Sequence, residues 1–240
     1  MSITTAMIMA AGHGTRMRPL TNDRSKAMVM LDGRPLIDHM IERLLAAGVT
    51  RIIVNVHAHA DQLETHLKTT HKNFDLVISD ERDALLETGG GVVKALPLLG
   101  DDPIFICNID AVWLQRENVL GSMVSAWNAD VMDDLLLLAP IEDTMGYAGK
   151  GDFNLSHEQT ISRRNSDSAP FVYAGVQIAR IDPMRSYDIV PFSRNKMWDK
   201  SLELGRAYGH VLGGFWMHVG DPQARDVAET IIAETQHKYI

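Results

Sequence analysis

Residues 9–20 read MAAGHGTRMRPL, and this stretch decides the fold. An apolar run from Met7 to Ala11 ends at Gly12, as a short buried strand ends at a glycine turn. Gly14, Arg16, Arg18 and Pro19 follow at once. Glycine lets a backbone adopt positive φ and approach a ligand closely. Successive amide N–H groups in such a loop can hold an anion. Arginine adds a planar, permanently charged fork that fits phosphate oxygens. On spacing alone, a tight turn carrying surface arginines competes with this anion-binding reading. The loop is not a Walker A sequence, because no Gly-Lys-Ser/Thr follows. It is a poor dinucleotide fingerprint, because GHGTRMRP breaks before a helix can begin.

Outward from that loop the chain alternates. Residues 34–48 read as a helix with Pro35 in its first turn, an apolar stripe from Leu36 to Leu45, and Gly48 at its end. RIIVNVHA (51–58) is a nearly continuous β-branched strand, as expected where both faces are covered. Residues 60–71 are helical and 74–81 a strand. TGGGVVKALPLL (88–99) reads as a glycine turn opening a helix, and PIFICNIDAVW (103–113) as one strand running into a polar tip. A helix over 116–128 and a strand over 133–140 follow. This alternation predicts a three-layer α/β/α architecture with a mostly parallel mixed sheet. After Pro140 the texture changes. Strands are expected at 146–155, 171–180 and 213–219, and helices at 195–205 and 221–236, the last capped by Asp221. No internal repeat or linker appears, so residues 1–240 are expected to form a single domain.

The chain has 240 residues, 45% of them hydrophobic and 22% charged, with a net charge of −8. That acidity argues against coating nucleic acid. Arg16, Arg18, Arg24 and Lys26 are a local exception to it. No run reaches the ~18 apolar residues of a membrane span. The N-terminus lacks the basic region of a signal peptide. Cys107 is the only cysteine, which rules out an intrachain disulfide and fits a cytoplasmic protein. Among apolar neighbours it reads as a core thiol. His57 and His59 alternate on one strand, but no nearby cysteine or carboxylate completes a metal site, so a polar strand end is the preferred reading.

The longer string MAAGHGTRMRPLTNDRSKAM resembles the signature of the sugar-1-phosphate nucleotidyltransferases. Gly12, Gly14, Thr15, Arg16, Pro19, Leu20, Thr21 and Lys26 fit it, and Ser25 departs from the usual proline. A serine there is expected to relax the backbone ahead of Lys26 and add a donor. LLETGGGVVKALPLLGDDPIFICNIDAVW, GKGDFNL and GFWMHVGDP look like the branch that joins UTP to N-acetylmuramate 1-phosphate, whose members are short single domains. The resemblance implies a Rossmann-like nucleotidyltransferase fold. Residues up to about 140 would bind the nucleotide, and residues from about 141 to 240 would bind the sugar and complete the sheet. A monomer or small homo-oligomer is expected. The nearest rivals are guanylyl or thymidylyl transfer to mannose or glucose 1-phosphate. A non-catalytic sugar-nucleotide sensor is a third.

The implied reaction is attack by a sugar phosphate oxygen on the α-phosphorus of a nucleoside triphosphate, with pyrophosphate leaving. Such chemistry asks for alignment and charge neutralisation. The resemblance assigns Ala11, Gly12, His13, Gly14, Thr15 and Asn108 to the nucleotide, with Arg16 on the departing phosphates and Lys26 beside the reacting ones. Gly89, Gly90 and Gly91 are expected to let the base lie on bare backbone. Glu87, Gly151, Asp152 and Gly175 are expected on the substrate side, and Trp198 and Trp216 compete between pocket lining and hydrophobic anchoring. Asp110, at a strand end, is expected to bind Mg2+, whose ligands are oxygens. Here Ile109 precedes it where the family shows glycine. His218 stands where the family carries a second aspartate. As a ligand it would shift preference toward Mn2+ or Co2+. Phosphate contact by His218 and reach-in by Asp221 compete with that role.

Overall fold

The computed structural model describes residues 2–100, 102–115 and 117–235. The first part of the chain contains β1 (Thr5–Met9), a small hairpin of β2 (Met30–Leu31) and β3 (Arg34–Pro35), α1 (Leu36–Ala46), β4 (Arg51–Val56) and α2 (Ala60–Thr70). It continues through β5 (Asp75–Asp80), α3 (Glu87–Leu99), β6 (Ile104–Asn108), β7 (Ala111–Gln115), α4 (Val119–Ala126) and β8 (Asp134–Pro140). Beyond Pro140 lie β9 (Thr144–Met145), β10 (Phe153–Leu155), β11 (Ile161–Arg163), β12 (Phe171–Ala179), α5 (Asn195–Glu203), β13 (Ala207–Val211), β14 (Gly214–His218) and α6 (Pro222–Thr235).

Because side chains alternate along a strand, each central strand feeds two cores. Ala6, Ile8, Ile52, Val54, Phe105 and Cys107 meet Ile37, Met40, Ile41 and Leu44 of α1, with Leu63, Leu67, Leu120 and Met123 of α2 and α4. Met7, Ile53, Ile104 and Ile106 meet Val92, Val93, Leu96 and Leu99 of α3 and Met197 of α5 on the other face. Each fully buried side chain of this size contributes about 1.5–3 kcal/mol. The result is the expected three-layer α/β/α sandwich.

β1 pairs in parallel with β4 and β6, β4 with β5, and β13 with β8. β12 alone runs against its neighbours in that central row, pairing antiparallel with β6 on one edge and β8 on the other. β10 pairs antiparallel with β12 at Phe171, the end away from the Val176–Ala179 stretch that pairs with β6, and β11 pairs with β10, making nine strands in all. A second sheet of three strands, β7-β14-β9, stands beside it.

Three sequence expectations change. The single strand over 103–113 is two: Ile109 and Asp110 form a turn, and β7 leaves the main sheet to pair with β14. Most of 146–155 is irregular, with positive φ at Gly146 and Gly151, and only Phe153–Leu155 is a strand. Gly89, Gly90 and Gly91 lie inside α3 and do not form a turn before it. The helices expected to begin at Arg116 and to end at Gln236 reach outside the described residues there.

Candidate active site

β1 stops at Met9 because the next two amides turn away from the sheet. Ala10 and Ala11 donate to Asn55 Oδ1 at 2.6 and 3.3 Å. Asn55 Nδ2 donates to the fully buried Glu81 at 2.7 Å, and Glu81 Oε2 accepts from the Leu86 amide at 3.1 Å. This relay ties the glycine loop to the segment that opens α3. Gly14 has φ of 62°, a left-handed conformation that suits glycine, and its carbonyl accepts from the Thr21 hydroxyl at 2.8 Å. Gly12 has open space where a Cβ would stand. Arg16 is exposed and has no hydrogen bond or ion pair among the described residues. Ser25 is buried and acts as an acceptor: its hydroxyl takes the Ala27 amide at 3.3 Å, capping the turn that carries Lys26. The serine thus orders the turn that it was expected to relax.

Lys26 Nζ lies 2.7 Å from Asp110 Oδ2. The antiparallel register of β7 and β14 sets Ala111 opposite His218, and the Val219 amide donates to the Asp110 carbonyl at 3.0 Å. Asp110 and His218 therefore meet, with His218 Nε2 3.3 Å from Asp110 Oδ2. The His218 ring stacks on Trp216 with planes 11° apart, and Nδ1 sits 3.3 Å from the Gly146 carbonyl. Burial pushes the Asp110 carboxyl up. The His218 hydrogen bond and the charges of Lys26 and His218 outweigh it and hold the group well below the usual carboxylate range. Asp110 Oδ1 takes no protein hydrogen bond among the described residues. This carboxylate and imidazole, with one open oxygen, fit a divalent ion whose shell a ligand phosphate completes. Asp221 is otherwise engaged: its Oδ1 accepts the Ala224 amide at 2.8 Å and caps α6.

Two cavities meet over this group. One, of about 610 Å³, is lined by Ala11, Gly12, His13, Gly14, Thr15, Lys26, Asn55, Leu85, Glu87 and Thr88 among others. The second, of about 410 Å³, is lined by Tyr147, Asp152, Arg163, Gly175, Arg194, Trp198, Trp216 and His218 among others. Arg16, Asn108, Asp110, Thr88 and Ser193 border both.

The three glycines of α3 line neither cavity. A Cβ on Gly89 would strike the Phe192 ring, one on Gly90 the Val190 carbonyl, and one on Gly91 would stand 2.7 Å from Glu81 Oε1. They are small because protein packs against them. Leu85, Glu87 and Thr88 face the first cavity in their place, with Glu87 at φ of 57°. Gly175 sits at a register shift in β12, with φ of 83°, where a Cβ would lie 2.6 Å from Ala111 Cβ. Gly151 has φ of 82°, and a Cβ on it would meet the Ala169 carbonyl. It lines neither cavity, while its neighbour Asp152 accepts from the Tyr173 amide at 3.0 Å and the Tyr147 hydroxyl at 3.3 Å. Cys107 is buried with its thiol pushed up by burial, as a core residue.

Sequence reasoning passed over Asn55, Glu81, Ser193, Tyr147 and Arg194. Asn55 had one visible signal, a lone amide in a β-branched strand. Arg194 is buried against Asp134, 2.8 Å away, and its amide donates to Thr88 Oγ1 at 2.9 Å, which stitches the 190–194 segment to α3.

The family model for nucleotidyl transferases matches residues 5–140. The chain is 44% identical over 234 residues to N-acetylmuramate alpha-1-phosphate uridylyltransferase of Caulobacter vibrioides, covering 95% of this chain and 97% of that one. It is 29% identical to the protein of the same name from Neisseria meningitidis, covering 90% and 92%. In fold it matches a UDP-glucose pyrophosphorylase solved with UDP-glucose, with TM-score 0.79 at 15% identity over 97% of this chain and 99% of that one. A glycine loop on the first strand, facing a lysine–aspartate pair where two cavities join, is thus found in a chain that belongs to the nucleotidyl transferase family.

Proposed function

We propose that the protein transfers a uridylyl group from UTP to N-acetylmuramate 1-phosphate, giving UDP-N-acetylmuramate and pyrophosphate. The observation that carries this reading is the junction of the two cavities at Arg16, Asn108 and Asp110, with Lys26 on Asp110 at 2.7 Å. A triphosphate laid over the glycine loop and a sugar phosphate in the second cavity would bring their phosphorus centres together there. The likeness to the Caulobacter vibrioides enzyme supports the choice of UTP and of the sugar.

An oxygen of the sugar phosphate forms a bond to the α-phosphorus. The bond from that phosphorus to the bridging oxygen breaks, and pyrophosphate takes its electron pair. No proton needs to move at the reacting atoms, so the protein's work is alignment and neutralisation. The amides of Gly12, His13 and Gly14 hold phosphate oxygens, and the unpartnered Arg16 grips the departing end. Lys26 shifts from Asp110 toward the reacting phosphates as they enter. Glu87 and Thr88 border the nucleotide's cavity, and Asp152 orients the sugar from its place beside Tyr147. Asp110 and His218 would hold a divalent ion, proposed as Mg2+, with Mn2+ or Co2+ favoured if the imidazole binds directly; when bound it supplies positive charge to the phosphates. No described helix is long and apolar enough to cross a membrane. A cytoplasmic site of action goes with nucleotide substrates.

The test is pyrophosphate release across a grid of nucleoside triphosphates and sugar phosphates. UTP with N-acetylmuramate 1-phosphate should give the highest kcat/KM. A higher value with GTP and mannose 1-phosphate, or with dTTP and glucose 1-phosphate, would reassign the substrate. Release with no pair would leave a binding protein.

A further inference from the structure

Away from both cavities, Asp38 of α1 meets His66 of α2 and His71 just beyond it. His66 Nε2 lies 2.9 Å from Asp38 Oδ1 and 3.1 Å from Oδ2, and His71 Nε2 lies 2.8 Å from Oδ1. One ligand atom from each residue falls within 4.8 Å of the others. On an unbroken helix, residues five apart point about 140° from each other. Here α2 ends at Thr70, and His71 adopts φ −109° and ψ 99°, which turns its ring back beside His66. The rings stand 5.8 Å apart and nearly perpendicular, and Phe74 packs on His71 at 5.7 Å. The convergence is therefore made by a helix end, and both rings are braced.

We propose that Asp38, His66 and His71 form a site for one divalent transition ion of the zinc type, clipping α1 to α2. Two imidazoles and one carboxylate with a fourth position open to water is a zinc-like donor set. Magnesium, which prefers oxygen, suits it poorly. Ligands at about 2.0–2.1 Å from a tetrahedral ion lie roughly 3.3–3.4 Å apart, so each ring nitrogen would move from the carboxylate by roughly half an ångström, and the two ring nitrogens, within 4.8 Å of each other, would settle at the same spacing. The three side chains are 13, 18 and 16% exposed, which leaves a path for an ion and its water. Binding takes the Nε2 lone pairs, so each ring carries its proton on Nδ1. For His66 that proton faces Thr70 Oγ1, 3.4 Å away, as an orienting partner. The proposal rests on none of the residues of the cleft.

Metal-stripped protein titrated with Co2+ reads the site by visible absorption, and melting with Zn2+ reads its linkage to folding. Wild type and Asp110→Asn should both show a four-coordinate Co2+ spectrum. The His66→Gln/His71→Gln double variant should lack it. Zn2+ at a hundred times its Kd should raise Tm of Asp110→Asn, which disables the cleft's own ion site, by roughly 5–10 °C and leave Asp110→Asn carrying His66→Gln and His71→Gln unmoved. Asp38→Asn, which keeps a hydrogen-bond acceptor, should weaken Co2+ at least tenfold and serves if the double variant does not fold. No four-coordinate spectrum in wild type, or the same spectrum and Tm shift in all variants, would overturn the site.

Discussion

Arg16 and Asn55 serve the same loop in opposite ways. Arg16 is exposed and unpartnered, so it adds nothing to folding and is free for a ligand. Asn55 is buried and bonds Ala10, Ala11 and Glu81. Arg16→Ala should lower kcat/KM by about a hundredfold, as loss of one charged transition-state contact does, with stability within about 0.5 kcal/mol of wild type. Asn55→Ala should behave differently. It strands buried partners at about 1–3 kcal/mol each and should lower Tm by several degrees along with turnover. Steady-state kinetics and thermal melts on both variants check the contrast, and a matching Tm loss in Arg16→Ala would remove the distinction. The sequence pattern exposes Arg16, because glycines and arginines in that spacing have few other uses. It conceals Glu81, whose burial and partners come from strands far apart in the chain.

The N-terminal turn of α3 is an element whose purpose its sequence misstates. Three glycines suggest a surface left bare for a ligand. In the fold they admit Phe192, Val190 and Glu81, and the positions that line the first cavity are Leu85, Glu87 and Thr88. Pattern alone cannot separate these cases, because a glycine chosen for a neighbouring backbone looks like one chosen for a base. Gly90→Ala is the sharpest test, since its Cβ would enter the Val190 carbonyl, which is backbone and cannot swing aside. The variant should lose about 1–3 kcal/mol, the cost of overpacking. Its KM for the triphosphate should also rise, because the displaced 190–194 segment carries Ser193, a residue of both cavities. Denaturant melts and triphosphate titration read the two effects. Strongly patterned elements, such as the amphipathic α1, the β-branched β4 and the leucine-rich β8, were legible within a residue or two. The split of 103–113 into β6 and β7 was not, because only pairing with β14 pulls Ala111–Gln115 out of the main sheet.

Strand alternation announced the layers, but the order of strands across the sheet depends on long-range pairing that no local pattern encodes. β12 joins β6 to β8, so the main sheet passes through both the 1–140 and the 141–240 parts. We read the chain as one domain on that ground, which anticipates a single cooperative melt. The acid limb of that melt has a defined source. His39, in α1, is buried with Nε2 2.8 Å from the Leu31 carbonyl, and His210, in β13, has Nε2 2.8 Å from Ser122 Oγ. Burial lowers the pKa of both, and for His39 the Arg34 and Arg43 charges add to it while the Leu31 carbonyl opposes it. A histidine whose folded pKa is depressed binds its proton more readily when unfolded. It therefore carries no penalty above the unfolded value of about 6.5 and destabilises the fold increasingly as pH drops below it. The slope is at most about 1.4 kcal/mol per pH unit for each ring. His39→Gln can keep a donor to the Leu31 carbonyl but cannot titrate. Melts at pH 7.5 and 5.5, values chosen to straddle roughly 6.5, should show wild type losing more stability than this variant. Carboxylates common to both proteins cancel in that difference, so equal losses would mean that the buried His39 ring does not set the acid limb.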